Sequence, residues 1–191
     1  MGLIARQRST KRLLNIFDFK QPRKEIDQKD IECHLCEGDL IIKSGMMRMK
    51  HFAHKPSAPC KCDYARHPES YEHNFFKNLL SKHLGEEFEE YLHAEAQQEF
   101  PVHEVRRVAD IAFTFPGGWV VVHEVQLCKI TTHDLEARTN DYRDAGYDVV
   151  WWIGKNADTE SNRKWLLENF GECFRLDYQM ASESNPSRSR L

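Results

Sequence analysis

Two sets of residues in this sequence have the types and spacing to do chemistry. The first is a run of soft and borderline metal ligands, Cys33-x2-Cys36, His51-x2-His54 and Cys60-x-Cys62. Zinc takes four such ligands at tetrahedral corners; a CxxC turn supplies two, and a second closely spaced pair supplies the rest. Cys33 and Cys36 are therefore the expected first pair. The second pair comes from His51, His54, Cys60 and Cys62, among which spacing alone does not choose. We favour His54 and Cys62, with His51 and Cys60 as alternates, because His51 is expected in mid-strand and Cys60 follows a proline in a loop. The stretch from Asp39 to Met49 is long enough to form the hairpin that joins the two halves. Four protein ligands make the ion structural rather than catalytic. A redox CxxC ordinarily precedes a helix in a β-α-β setting, which this segment lacks. The six ligand-type residues of these three spaced pairs, within thirty positions, also argue against ordinary buried cysteines.

The second set is acidic. Val105 to Phe115 and Trp119 to Leu127 are rich in β-formers and flank Pro116-Gly117-Gly118, the pattern of a hairpin. A loop of those three residues puts Phe115 opposite Trp119, and the ladder then carries Asp110 to a place opposite Glu124. Directly opposed residues share a face, and Gln126 lies on it two residues further on. Two carboxylates so placed repel unless a cation sits between them, and oxygen-only ligation suits magnesium or manganese. No structural use for the pair is expected. A two-residue Gly117-Gly118 loop would instead set Asp110 opposite Val125. That register forces Pro116 into the ladder, where it has no N–H to donate. A plain pair of solvent-facing carboxylates fits poorly with helices expected on both sides of the sheet. On the preceding segment Glu69, Glu72, His73, Phe76 and Lys77 are helical neighbours, and Glu72 and His73 border the apolar stripe, within reach of the sheet. A solvated Glu–His–Lys face is the competing reading there.

The elements that must position these residues follow from the pattern. The first 30 residues read as short strands or an arm. Tyr71 to Leu84 reads as a helix, with Tyr71, Phe75, Phe76, Leu79 and Leu80 on one stripe and Gly85 as its stop. Glu99 to Val102 is a strand before the hairpin. Thr132 to Ala145 is a helix ended by Gly146, Tyr147 to Ile153 a buried strand, and Ser161 to Asn169 a last helix. The fold class is thus α/β (α+β), divided into a zinc-binding module with a basic arm (1–66), a core (67–178) and a disordered polar tail (179–191).

The chain of 191 residues suits one domain with a small appendage, and 21 aromatic residues can build a real core. No apolar run exceeds the five residues Val149 to Ile153, far below the roughly 18 of a membrane helix. The start has no secretory pattern, so a cytoplasmic protein with reduced thiols is expected, and metal binding or catalysis precedes disulfides as the use of six cysteines. Net charge is −3 but uneven: residues 1–77 carry 15 Lys and Arg against 10 Asp and Glu, and the remainder 12 against 20. A basic front suits contact with a polyanion.

Taken in order, CHLC, HFAH followed by cysteine, YEH with Lys77 one turn on, ADI at Ala109 to Ile111, EVQ at Glu124 to Gln126, Arg138 with Tyr142, and the apolar VVWWI resemble the CoiA-like competence protein family within the PD-(D/E)xK nuclease superfamily. The resemblance covers about residues 30 to 155. It implies an N-terminal zinc-binding, ribbon-like module on a nuclease-like αβββαβ core. Asp110 and Glu124 then look like ligands of a catalytic Mg2+ or Mn2+, and Glu72 like the helix carboxylate that completes the site. Gln126 stands where most of the superfamily has lysine, a departure that CoiA-like sequences share. His73, Lys77 and Arg138 are the implied contacts to nucleic acid. The implied activity is metal-dependent hydrolysis of phosphodiester bonds in single- or double-stranded DNA, alongside protein partners of DNA processing or recombination. The alternative, favoured by Gln126, is a non-catalytic DNA-binding accessory protein with a zinc module and a degenerate core.

Overall fold

Short apolar runs broken by polar turns give the first part of the chain small sheets rather than one large one. In the computed structural model, which describes residues 2–45, 48–56 and 69–184, the chain divides into two units, one reaching Asn74 and one beginning at Phe75. In the first unit, β1 (Ile4–Gln7), β2 (Leu13–Asn15) and β3 (Ile31–Glu32) form an antiparallel sheet in the order β2-β1-β3. Proline opens the single turn α1 (Pro22–Glu25), where its missing N–H costs nothing. A hairpin follows, β4 (Leu40–Gly45) and β5 (Arg48–His54), and Leu3, Ile16, Ile31, Leu40, Ile42 and Phe52 lie in its core. Much of the basic charge of this unit is already answered. Arg6, Arg8 and Lys11 surround the buried Glu32, while Arg8 and Lys55 also pair with Asp39.

Helix α2 (Tyr71–Glu87) leads into the second unit. Its apolar stripe packs Phe75, Phe76 and Leu80 against Ile111, Phe113 and Val125. Strands β6 (Glu95–Val102), β7 (Arg107–Thr114) and β8 (Val120–Gln126) form an antiparallel meander. Helix α3 (Thr132–Asp144), capped by the Thr131 hydroxyl accepting from the Asp134 N–H, then crosses over to β9 (Asp148–Gly154), which lies parallel to β8. The apolar run Val149 to Ile153 within β9 is what a strand covered on both faces requires. Helix α4 (Glu160–Phe170) and β10 (Phe174–Leu176) complete a sheet ordered β10-β9-β8-β7-β6. On the face opposite α2, Leu135 and Tyr142 of α3 pack with Val122, Trp151 and Ile153. This is the αβββαβ core expected from the sequence, extended by a third helix, α4, and a fifth strand, β10.

The structure corrects three expectations. Gly85 does not stop α2, which runs to Glu87; a Cβ at Gly85 would lie 3.0 Å from the Tyr91 carbonyl oxygen, so glycine serves a close approach there. Strand β6 begins at Glu95, not Glu99. The start of the supposed tail is helix α5 (Tyr178–Ser184), whose Tyr178 ring meets Phe75 edge-on at 5.1 Å; residues 185–191 lie outside the described residues. Among the described residues, no helix is long and apolar enough to cross a membrane.

Candidate functional site

The CxxC turn is built by backbone bonds: the Glu37 N–H donates to the Cys33 carbonyl and the Cys33 N–H to the Gly38 carbonyl, each at 2.8 Å. The β4–β5 register pairs Leu40 with His54, which returns the imidazole to that turn. Cys36 Sγ and His54 Nε2 are 3.3 Å apart, and the ligand atoms of Cys33, Cys36 and His54 all lie within 4.8 Å of one another. Gly38 makes room for them, since a Cβ there would meet His54 Cδ2 at 3.2 Å and Cys36 Sγ at 3.3 Å. Burial pushes the Cys33 thiol up to about 11 and lowers the His54 pKa, keeping the imidazole in its neutral, metal-binding form. These three residues could form a zinc site. His51 sits across the hairpin from Lys43 and donates from Nδ1 to the Met49 carbonyl at 2.9 Å, apart from that group. Cys60 and Cys62 lie outside the described residues.

The second constellation lies where a β ladder stops. Thr114, Phe113, Ala112 and Ile111 pair with Val120, Val121, Val122 and His123, and the Phe115 N–H donates to the Trp119 carbonyl at 2.8 Å. This is the register that sets Asp110 opposite Glu124. The ladder ends at Ile111, however, and the Asp110 carboxylate takes over: its Oδ2 accepts from the Val125 N–H at 2.8 Å. Side-chain alternation also breaks here. Ile111 packs on the α2 face, whereas Ala109, two residues earlier, packs in the cluster on the α3 face. Asp110 is 8 % exposed and Glu124 1 %, so neither is a solvent-facing carboxylate.

Glu124 is held from α3. Its Oε1 accepts from the Tyr142 hydroxyl at 2.5 Å and its Oε2 from the Arg138 guanidinium, which donates a second bond to Gln126 Oε1 at 3.1 Å. Glu124 raises the Arg138 pKa, and burial, with Glu124 beside it, raises that of Tyr142; both stay protonated. The guanidinium also lies over the Trp151 ring at 5.3 Å, and its Nε–H has no hydrogen-bond partner among the described residues. The Gln126 amide is committed at both ends, since its Nε2 donates to the Cys128 carbonyl at 2.8 Å. The expectation that the two carboxylates serve no structural purpose is therefore overturned: one replaces a ladder bond and the other anchors α3.

The helix residues distribute differently from expectation. Glu72 is exposed on the first turn of α2, and His73 Nδ1 lies 3.6 Å from Glu69 Oε1. Lys77, expected to reach nucleic acid, is 0 % exposed; its ammonium faces inward, 3.6 Å from Glu99 Oε1 and 3.9 Å from Asp110 Oδ1. Glu99 is a site residue that sequence reasoning missed; Tyr142 was named there beside Arg138, but its bond to Glu124 was not foreseen. Gln98 pairs with Ile111 and Phe100 with Ala109, so Glu99 falls directly across β6–β7 from Asp110, with a left-handed φ of 54°. A lone Glu flanked by Gln98 and Phe100 was the available signal.

The family model described as "Competence protein CoiA, nuclease-like domain" matches residues 69–184, and that described as "Competence protein CoiA, N-terminal domain" matches residues 19–63. Competence protein CoiA of Bacillus subtilis (strain 168) is 24 % identical over 139 residues, covering 70 % of this chain and 34 % of that protein. The chain thus spans about a third of that relative's length. A crystal structure of a repair endonuclease from Pyrococcus abyssi aligns at 21 % identity over 58 % of this chain and 49 % of that one, with a TM-score of 0.39.

Proposed function

Because the chain belongs to the competence protein CoiA family, whose nuclease-like domain it carries, we propose that its second unit hydrolyses phosphodiester bonds of DNA with a divalent metal, in cytoplasmic DNA processing. The observation that supports this most is the buried pair Asp110 and Glu124 at the end of the β7–β8 ladder. The donor set fits the ion. Asp110 accepts through one oxygen and Glu124 through both, one donor to each, and carboxylate oxygens retain further lone pairs for a hard cation. Asp110 and Glu124 would hold Mg2+ or Mn2+, which when bound supplies a nucleophilic water and neutralises charge on the scissile phosphate. Arg138 and Tyr142 fix the Glu124 carboxylate in one orientation, and Arg138 orients the Gln126 amide. Glu72, exposed on the first turn of α2, is given no part in holding the ion. The first unit is proposed to complete a zinc site from Cys33, Cys36 and His54 with Cys62 as fourth ligand.

Circular and linear DNA, single- and double-stranded, incubated with Mg2+, Mn2+ or EDTA tests the activity. Cleavage is expected with either metal and none with EDTA, and Asp110→Asn and Glu124→Gln should abolish it while the fold survives. The commitment of the Gln126 amide to Arg138 and Cys128 favours a second reading, a DNA-binding accessory protein without catalysis. An inert wild-type protein that still binds DNA would establish that reading instead.

A further inference from the structure

The site as sequence describes it lacks a lysine: Gln126 occupies the strand position, its amide is turned to Arg138 and the Cys128 carbonyl, and Arg138 is itself spent on Glu124. The structure nevertheless brings an ammonium to Asp110 from the opposite face of the sheet. Lys77 is a fully buried side chain of α2, and burying an ammonium is unfavourable unless carboxylates answer it. Glu99 and Asp110 do so, at 3.6 and 3.9 Å. Glu99 reaches that place by adopting a left-handed φ within a strand, a conformation that a non-glycine residue keeps only when its surroundings enforce it. The break in alternation at Asp110 is what makes this carboxylate accessible from the α2 side while Glu124 is gripped from the α3 side.

We propose that Lys77 is the lysine of this site, supplied by helix α2 in place of strand β8, with Glu99 as the residue that positions it against Asp110. The inference rests on the nuclease reading and deepens it. In the hydrolytic step the attacking water forms a bond to phosphorus and gives its proton to solvent, while the P–O ester bond breaks and the leaving oxygen takes a proton from solvent. The Lys77 ammonium donates a charged hydrogen bond to the attacking oxygen as its negative charge develops, whereas glutamine donates one without the charge.

The test has two readouts on the full-length chain. In Mn2+ titrations followed by calorimetry, Lys77→Met removes a positive charge beside Asp110, so Mn2+ should bind more tightly, by about tenfold. In cleavage assays at saturating Mn2+ the same variant should lose kcat with little change in KM, and Lys77→Met with Gln126→Lys should regain much of it, because the ammonium returns from the strand. Lys77→Met with Glu99→Gln, which removes both charges of the buried pair, guards against a simple folding defect and should show the same loss of kcat. Unchanged or weaker Mn2+ binding in Lys77→Met, or no rescue by Gln126→Lys, would overturn the assignment of Lys77 alone. A wild-type chain that binds Mn2+ but cuts nothing would overturn the nuclease reading and the lysine's role with it.

Discussion

Asp110 shows at the scale of one residue how a site carboxylate doubles as backbone. Its Oδ2 accepts the Val125 N–H that the ladder leaves over, so Asp110→Ala strands a buried donor, at a cost of about 1–3 kcal/mol. Thermal denaturation should therefore show Asp110→Ala clearly destabilised and Asp110→Asn, which keeps an acceptor oxygen for the Val125 N–H but loses the charge facing Lys77, destabilised less. A raised melting temperature in the alanine variant would mean that carboxylate repulsion outweighs the bond. His123 gives a second prediction at this scale. It is 1 % exposed, accepts from the Trp152 indole N–H at Nδ1 and faces the Tyr91 hydroxyl with Nε2, both at 2.9 Å. Burial pushes its pKa down to about 3 from an ordinary 6.5. Below that ordinary value the unfolded chain takes up a proton that the folded chain refuses, so stability falls on acidification, by up to about 1.4 kcal/mol per pH unit. Glu32, which burial raises but Arg6 holds below the usual carboxylate value, loses its contribution only at lower pH. Urea denaturation between pH 6.5 and about 4.5 should show this slope, and His123→Gln should flatten it.

At the scale of elements, the β7–β8 hairpin was legible because Pro116-Gly117-Gly118 admits few loops, and the loop sets the register. The CxxC turn and its returning histidine were legible for the same reason: ligand spacing constrains backbone geometry. Strand β6 was legible in part, as Glu99 to Val102, but its start and its register were not. Its pairing depends on the turn from His103 to Arg106, which has no glycine, and Arg106 takes a left-handed φ of 53° that ordinary residue preferences do not announce. Glu99 was hidden with it. The inward turn of Lys77 was equally illegible, since a lysine on a helix reads as solvated until its buried partners are known. Gly85 is a third case, where a glycine resembling a terminator is a spacer. Alanine ordinarily improves a helix interior by about 1 kcal/mol over glycine. Gly85→Ala should instead lower the melting temperature, because its Cβ would press on backbone, the Tyr91 carbonyl oxygen at 3.0 Å. A rise of the size helix propensity gives would show that the Tyr91 turn yields freely.

At the scale of the whole molecule the two units respond to different perturbations. Cys36→Ser should abolish bound zinc, measured by elemental analysis, and destabilise the first unit, because the binding energy of a structural metal is folding energy. Stoichiometric zinc retained in that variant would remove Cys36 from the ligand set. The basic front is less available than its charge total implies, since Arg6, Arg8 and Lys11 answer Glu32. Lys20, Lys24 and Lys29 remain exposed. DNA affinity should fall log-linearly with salt, and replacing these three lysines with glutamine should weaken binding and reduce the salt slope by about one for each phosphate that a lysine had neutralised. An unchanged slope would place the DNA-binding surface elsewhere.

The turn between β7 and β8 also carries a consequence for heredity. Gly117 and Gly118 adopt φ values of 97° and 86°, which side chains other than glycine rarely adopt, and the loop they form counts the residues between the two strands. An in-frame loss of the Gly117 codon would leave every residue of the site in the gene, yet slide β8 by one place and point Glu124 away from Asp110. Lineages of this protein should therefore tolerate substitutions along the outer strands far more readily than any change in the length of this turn.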